Sequence, residues 1–204
     1  DMNTRIRKSS VERRKEIVTA VLNIIGRQGF KSLSAQTIAD EVGITSGALF
    51  RHFASLHRIY EEVVRYAIAE LEDTFPDESL NPLERLLELA RKRVRLLGSN
   101  PGLAWLLRSE QAYLILPEES GELLREIAGR SRQYLLKAIC DGALQGSIRN
   151  DIEPEILVVP VMGTIHALIA MPGVHKPAAT GYSVEPDDVL SALEQMIRDP
   201  HNPF

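Results

Sequence analysis

Apolar residues recur along this chain at helical spacing. Ile17, Val18, Val21, Leu22 and Ile25 share one face of a helix that begins near Ser9. Ser9 and Glu12 have the spacing of a reciprocal N-terminal cap. Gly26 and Gly29 weaken the helix end, and Phe30 stands beyond it as an apolar anchor. Two short helical pieces follow. Ser34 caps residues 35–42, with Ile38, Ala39 and Val42 inward. Gly43 leaves that helix in the left-handed region, and Ile44 puts apolar bulk into the turn. Thr45 or Ser46 caps the second piece, with Leu49 and Phe53 inward. Two helices that cross steeply through a short turn need a small side chain where they touch, and Ala39 supplies it. The pattern is that of a helix-turn-helix.

The rest of the chain repeats the helical period. A longer helix from Ser55 carries Ile59, Val63, Val64, Ala67, Ile68 and Leu71 and ends before Pro76. Asn81 and Pro82 open a helix that stops at Gly98 and Pro101. One short helix is expected through Trp105 to about Leu116, then a long one from Glu118 to Leu144. After Pro154, the run from Ile156 to Met171 has no formal charge. A loop over 172–184 leads to a last helix from Pro186 to Arg198. No alternating strand pattern and no internal repeat of fixed period stands out. The fold class predicted is all-α, a three-helix N-terminal unit followed by a larger helical body, with about nine helices.

Composition agrees and adds one asymmetry. Of 204 residues, 44% are apolar and only 5% aromatic, a balance that suits helices better than a β-rich core. The net charge of −4 argues against nucleic acid until it is divided along the chain. Residues 1–58 hold ten Lys/Arg against five Asp/Glu, and residues 59–204 hold fourteen against twenty-three. A basic module precedes an acidic body. Cys140 is a lone cysteine, so no intramolecular disulfide forms, and in a long helix it reads as packing. The polar, basic start carries no apolar signal core, and the expected location is cytoplasmic.

The segment from Leu33 to Val63 resembles the DNA-binding domain of TetR-family transcriptional repressors. The matching residues are Ile38-Ala39, Gly43-Ile44 and Leu49-Phe50-Arg51-His52-Phe53. The resemblance implies a DNA-binding domain over residues 1–54 and a ligand-binding and dimerisation domain over 55–204. It also implies a homodimer that binds a palindromic operator and is released by a small molecule. The residues themselves fit DNA contact. With Leu49 and Phe53 inward, the second helix turns Thr45, Ser46, Ala48, Phe50, Arg51 and His52 outward, where a recognition helix meets base edges. The Ala48 methyl suits a thymine methyl. In the family, the position of Gly47 lies very near the duplex. Ser34, Gln36 and Thr37 begin the preceding helix, where amides and hydroxyls hold a phosphate. Arg5, Arg7 and Lys8 form a basic arm suited to the backbone or minor groove, or simply a solvated terminus.

Two departures from the family pattern bear on affinity. Phe50 stands where a tyrosine hydroxyl commonly binds phosphate, and Leu56 where a lysine is common; His57 and Arg58 are the available replacements. Phe50 and His52 also have a purely structural reading, as packing against the first helix. In the body, the apolar run from Ile156 to Met171 is too short for a membrane span and holds Pro160 and His166. By the same resemblance it pairs, with the stretch from Val189 to Ile197, with a second copy, Gly163 and Ala167 allowing close approach; the other reading is a core helix of a monomer. By resemblance a ligand pocket in the body is lined from the helices of Trp105, Tyr113, Tyr134 and His166. No metal, nucleotide or nucleophile motif occurs, so neither a cofactor nor an enzymatic activity is expected. The alternative class is a helical carrier or protein-interaction module that has lost DNA binding.

Overall fold

The computed structural model describes residues 9–170 and 184–201. Among them the chain forms ten α-helices and no β-strand. The predicted basic arm (Arg5, Arg7, Lys8), Met171 and nearly all of the 172–184 loop lie outside the described residues. The chain divides into two compact units. One holds Asp1–Ala67 with Asn100–Leu123, and the other Ile68–Ser99 with Leu124–Phe204.

In the first unit, α1 (Ser10–Gln28) starts on a capping box: the Ser9 hydroxyl accepts from the Glu12 amide at 3.2 Å, and the Glu12 carboxylate accepts from the Ser9 amide at 2.7 Å. Its face of Ile17, Val18, Val21, Leu22, Ile24 and Ile25 is buried. Gly29 ends it at φ 76°, and a 3-10 turn (Phe30–Ser32) inserts Phe30 between Tyr60 and Trp105, whose rings lie 6.5 and 4.9 Å away. Then come α2 (Ala35–Val42) and α3 (Ser46–His52), joined through Gly43 in the left-handed conformation. Ile38, Ala39 and Leu49 are wholly buried. The cap of α3 is Thr45, whose hydroxyl accepts from the Ala48 amide at 3.1 Å.

The unit holding this helix-turn-helix does not end at residue 54. It continues into α4 (Leu56–Glu72) as far as Ala67 and takes in α6 (Pro101–Arg108) and α7 (Glu110–Ile115). α6 lies so tightly on α1 that a Cβ on Gly102 would stand 1.9 Å from the Leu22 carbonyl oxygen. The single helix expected between Pro101 and Leu116 is two. Ser109 takes an extended conformation (φ −92°, ψ 119°) that ends one and begins the other. Serine competes for backbone hydrogen bonds and interrupts helices readily.

The second unit contains α5 (Pro82–Ser99), the greater part of α8 (Glu118–Gln145), α9 (Pro154–Ala170) and α10 (Pro186–Ile197). The Asn81 side chain accepts from the Leu83 amide at 3.0 Å and so begins α5, which packs on α9 and α10. After α8, the Arg149 amide donates to the Ile197 carbonyl at 2.8 Å and its guanidinium to the Met196 carbonyl at 3.0 Å. These bonds satisfy the open end of α10. Arg85 is buried against Asp141 at 2.7 Å, and together with Lys137 it holds that carboxyl below its ordinary value. Burial lowers Arg93 to about 10; its guanidinium donates to Thr74, to Ser131 and to the Leu71 carbonyl and lies over the Phe75 ring.

Candidate nucleic-acid interface

The exposed side of α2 and α3 is built from short polar side chains, most of them engaged with one another. Ser34 and Thr37 form the cap of α2. The Ser34 hydroxyl accepts from the Thr37 amide at 3.1 Å, and Thr37 Oγ1 accepts from the Ser34 amide at 2.9 Å while donating to the Ser32 carbonyl at 2.7 Å. Their first task is local. Gln36 bridges the two helices: its Nε2 donates to Asp40 Oδ1 at 2.7 Å, and its Oε1 accepts from the Ser46 hydroxyl at 3.0 Å.

Along α3 Leu49 and Phe53 are buried as their spacing predicts, while His52, expected outward, turns toward α1 instead. Thr45, Gly47, Phe50 and Arg51 are exposed, Phe50 at 43%, and Ser46 and Ala48 are half-buried. A Cβ on Gly47 would meet no atom within 4 Å, so packing inside the chain does not require glycine there. His52 faces α1: its Nδ1 lies 3.5 Å from the Ser10 hydroxyl, and its carbonyl accepts from Arg14 at 3.3 Å. Arg14 also covers the Phe53 ring at 4.3 Å and pairs with Glu62 at 3.1 Å. This strut joins α1, α3 and α4. Sequence reasoning missed Arg14 because a half-buried arginine on a helix has no local signature.

The start of α4 carries the replacements for the absent lysine. The Ser55 hydroxyl accepts from the Arg58 amide at 3.3 Å, Leu56 is half-buried and His57 exposed. Arg58 is engaged by Glu61 at 2.7 Å, and this hydrogen bond is the main cause of its raised pKa, with Glu119 adding a smaller electrostatic contribution. A phosphate would have to draw Arg58 from Glu61.

The four residues assigned to a ligand pocket fall in both units. Trp105 (packed on Phe30) and the half-buried Tyr113 belong to the first. Tyr134 and His166 belong to the second. The Tyr134 hydroxyl donates to the Pro76 carbonyl at 3.0 Å, and its ring packs on Phe75 at 5.2 Å. Both aromatics line an open crevice of about 360 Å³ with Arg130, Gln133 and Lys137. Burial is the largest cause of the raised Tyr134 pKa. His166 is exposed on α9. It shares an outer stripe with Ile156 (63% exposed), Val159 (62%), Gly163 and Ala167, and on α10 Ala192 and Met196 (64%) are also exposed. Among the described residues no cluster of His, Cys, Asp or Glu could hold a metal, and no helix is long and apolar enough to cross a membrane.

With this geometry in hand, known proteins give the context. The profile described as "Bacterial regulatory proteins, tetR family" matches residues 17–63, from the buried face of α1 to the middle of α4. The match covers the helix-turn-helix and its flanking helices, so this segment is similar to the N-terminal domain of that family. Among similar sequences, the HTH-type transcriptional repressor KstR2 of Rhodococcus jostii is 23% identical over 197 residues, 93% of each chain. The nucleoid occlusion factor SlmA of Vibrio vulnificus is 24% identical over 157 residues, 75% of this chain and 80% of the relative. Among solved structures, AibR in complex with isovaleryl coenzyme A and operator DNA superposes with a TM-score of 0.75 at 18% identity, covering 92% of this chain and 99% of AibR. KstR2 of Mycobacterium tuberculosis gives 0.74 at 21% identity, covering 91% and 95%. At these identities the structural likeness establishes the TetR-type all-helical fold.

Proposed function

We propose that the chain is a ligand-responsive transcriptional repressor of the cytoplasm. It binds a palindromic operator as a homodimer and leaves it when a small molecule occupies the C-terminal body. The observation that carries this reading is the α2–α3 pair. Its two helices are fixed by wholly buried Ile38, Ala39 and Leu49 and a left-handed Gly43, while Thr45, Gly47, Phe50 and Arg51 stay exposed. A rigid helix bare at its outer side fits the width of a major groove with its own diameter. The body supplies pairing: the stripe from Ile156 to Ala167 on α9, with Val189 to Ile197 on α10, would set two reading heads at fixed separation. The first effector class to screen is a short acyl coenzyme A thioester, the kind of molecule present with AibR and its operator.

The test is fluorescence anisotropy of a random-sequence duplex at two salt concentrations. The proposal expects micromolar or weaker binding that falls steeply with salt, since phosphate contacts release counterions. Binding that is absent, or insensitive to salt, favours a carrier or protein-interaction module, the reading that Phe50, Leu56 and the engaged Arg58 support. A variant sharpens the point. Glu61→Gln frees Arg58 and is expected to raise affinity about threefold and steepen the salt slope by about one counterion. The gain should vanish when Arg58→Ala is added; if it survives, Arg58 is not the phosphate ligand.

A further inference from the structure

We infer that Gln36 reads an adenine in each half-site, and that Asp40 and Ser46 are the positioning residues that fix its amide for the purpose. The inference rests on the DNA-binding reading and adds the base that is read. Three facts compose it. Gln36 is exposed in the first turn of α2. Its Nε2 lies 2.7 Å from Asp40 Oδ1. Its Oε1 lies 3.0 Å from the hydroxyl of Ser46, the first residue of α3.

The chemistry of the partners settles the direction of this chain of hydrogen bonds. A carboxylate only accepts, so the nitrogen of the Gln36 amide must face Asp40 and its oxygen must face Ser46. The Ser46 hydroxyl, which either donates or accepts, is thereby made the donor. Without Asp40 the amide could turn over, because serine would serve either end equally well. The same spacing stiffens α2, since a glutamine four residues before an aspartate shares a helix face with it.

An amide held in this way keeps one N–H and one lone pair of the oxygen unspent. That pair is what adenine asks for in the major groove, where N6–H donates and N7 accepts; guanine offers two acceptors there and cannot satisfy the oxygen. The arrangement also recasts Ser46. Its hydroxyl proton is committed to Gln36, so its contribution to recognition passes through the glutamine. Asp40 sits near a polyanion without a cation of its own among these contacts, a cost in affinity that fixing Gln36 explains.

The experiment compares the full-length wild type, Gln36→Ala and Asp40→Asn by selection from a randomised duplex library. Binding is then titrated on the selected duplex and on a copy with 7-deazaadenine at the assigned position. The wild type is expected to prefer adenine at one position per half-site by roughly five- to hundredfold and to lose that preference on the 7-deaza duplex. Gln36→Ala should be indifferent to both changes. Asp40→Asn keeps the size but lets the amide turn over, so it should bind random duplex at least as tightly as wild type while its preference at that position collapses. This loss of discrimination without loss of affinity is what a merely structural role would not produce. A wild type that selects a sequence while both variants keep the same profile overturns the inference, as does a Gln36-dependent preference for another base. Loss of preference in Gln36→Ala alone overturns the role of Asp40. A wild type that selects nothing removes the DNA-binding reading and the inference together.

Discussion

Replacing Gly102 with alanine is expected to destabilise the first unit strongly. The added Cβ would stand 1.9 Å from the Leu22 carbonyl oxygen, 2.6 Å from its carbonyl carbon and 3.0 Å from its Cα. All three are backbone atoms in the middle of α1, so no rotamer change relieves the overlap, and the helices must separate. Gly26 stands on the other side of the same contact, where a Cβ would lie 2.8 Å from the Gly102 nitrogen. Separation strips cover from Leu22 and loosens the packing of Phe30 on Trp105. The expected loss is about 3 kcal/mol or more, lowering Tm by roughly 10 °C. Trp105 is the only tryptophan in the chain and rides on α6, so its fluorescence in a urea titration follows this unit directly. Gly129→Ala is the control. Its Cβ meets nothing within 4 Å inside α8, and removing a helical glycine should stabilise by about 0.5–1 kcal/mol. Equal stability of Gly102→Ala and wild type would mean that α6 does not rest on α1.

Gly163→Arg is expected to leave the subunit folded and abolish pairing. A Cβ on Gly163 meets no atom of its own chain within 4 Å, and arginine favours helix over glycine, so nothing within the subunit resists the change. Between two copies the position is different. Gly163 lies between Val159 and Ala167 on the exposed apolar stripe, and a buried charge without a partner there opposes assembly. A single head on DNA forfeits the effective concentration that a linked second head supplies, so operator affinity should fall by about a hundredfold or more. Sedimentation velocity reads the assembly, circular dichroism the fold and anisotropy the affinity. A variant that remains dimeric and binds normally moves the pairing surface elsewhere.

Much of the helical plan is legible because helix ends are local chemistry. Ser9, Ser34 and Thr45 cap where hydroxyls precede apolar periods, and Gly29 and Gly43 adopt the positive φ that ending a helix there requires. The inward Leu49 and Phe53 and outward Phe50 follow from period alone. What stayed hidden is tertiary. Gly102 beside Pro101 reads as punctuation between helices, and its contact with Leu22, eighty positions earlier, leaves no periodic trace. The break at Ser109 turns on one residue of middling propensity. Within the site, the Gln36–Asp40 pair is spaced for a helix face, but the bond to Ser46 crosses the turn and depends on the tertiary fold. The assignment of Trp105, Tyr113, Tyr134 and His166 used residue type, which marks apolar bodies with polar tips without locating them.

Two copies of this chain are expected to read one duplex together, and sedimentation of the protein on a duplex recovered by selection measures this. An even number of chains should bind an inverted repeat whose half-sites lie about one helical turn apart. A single chain bound to an asymmetric site would mean that the heads do not act in pairs.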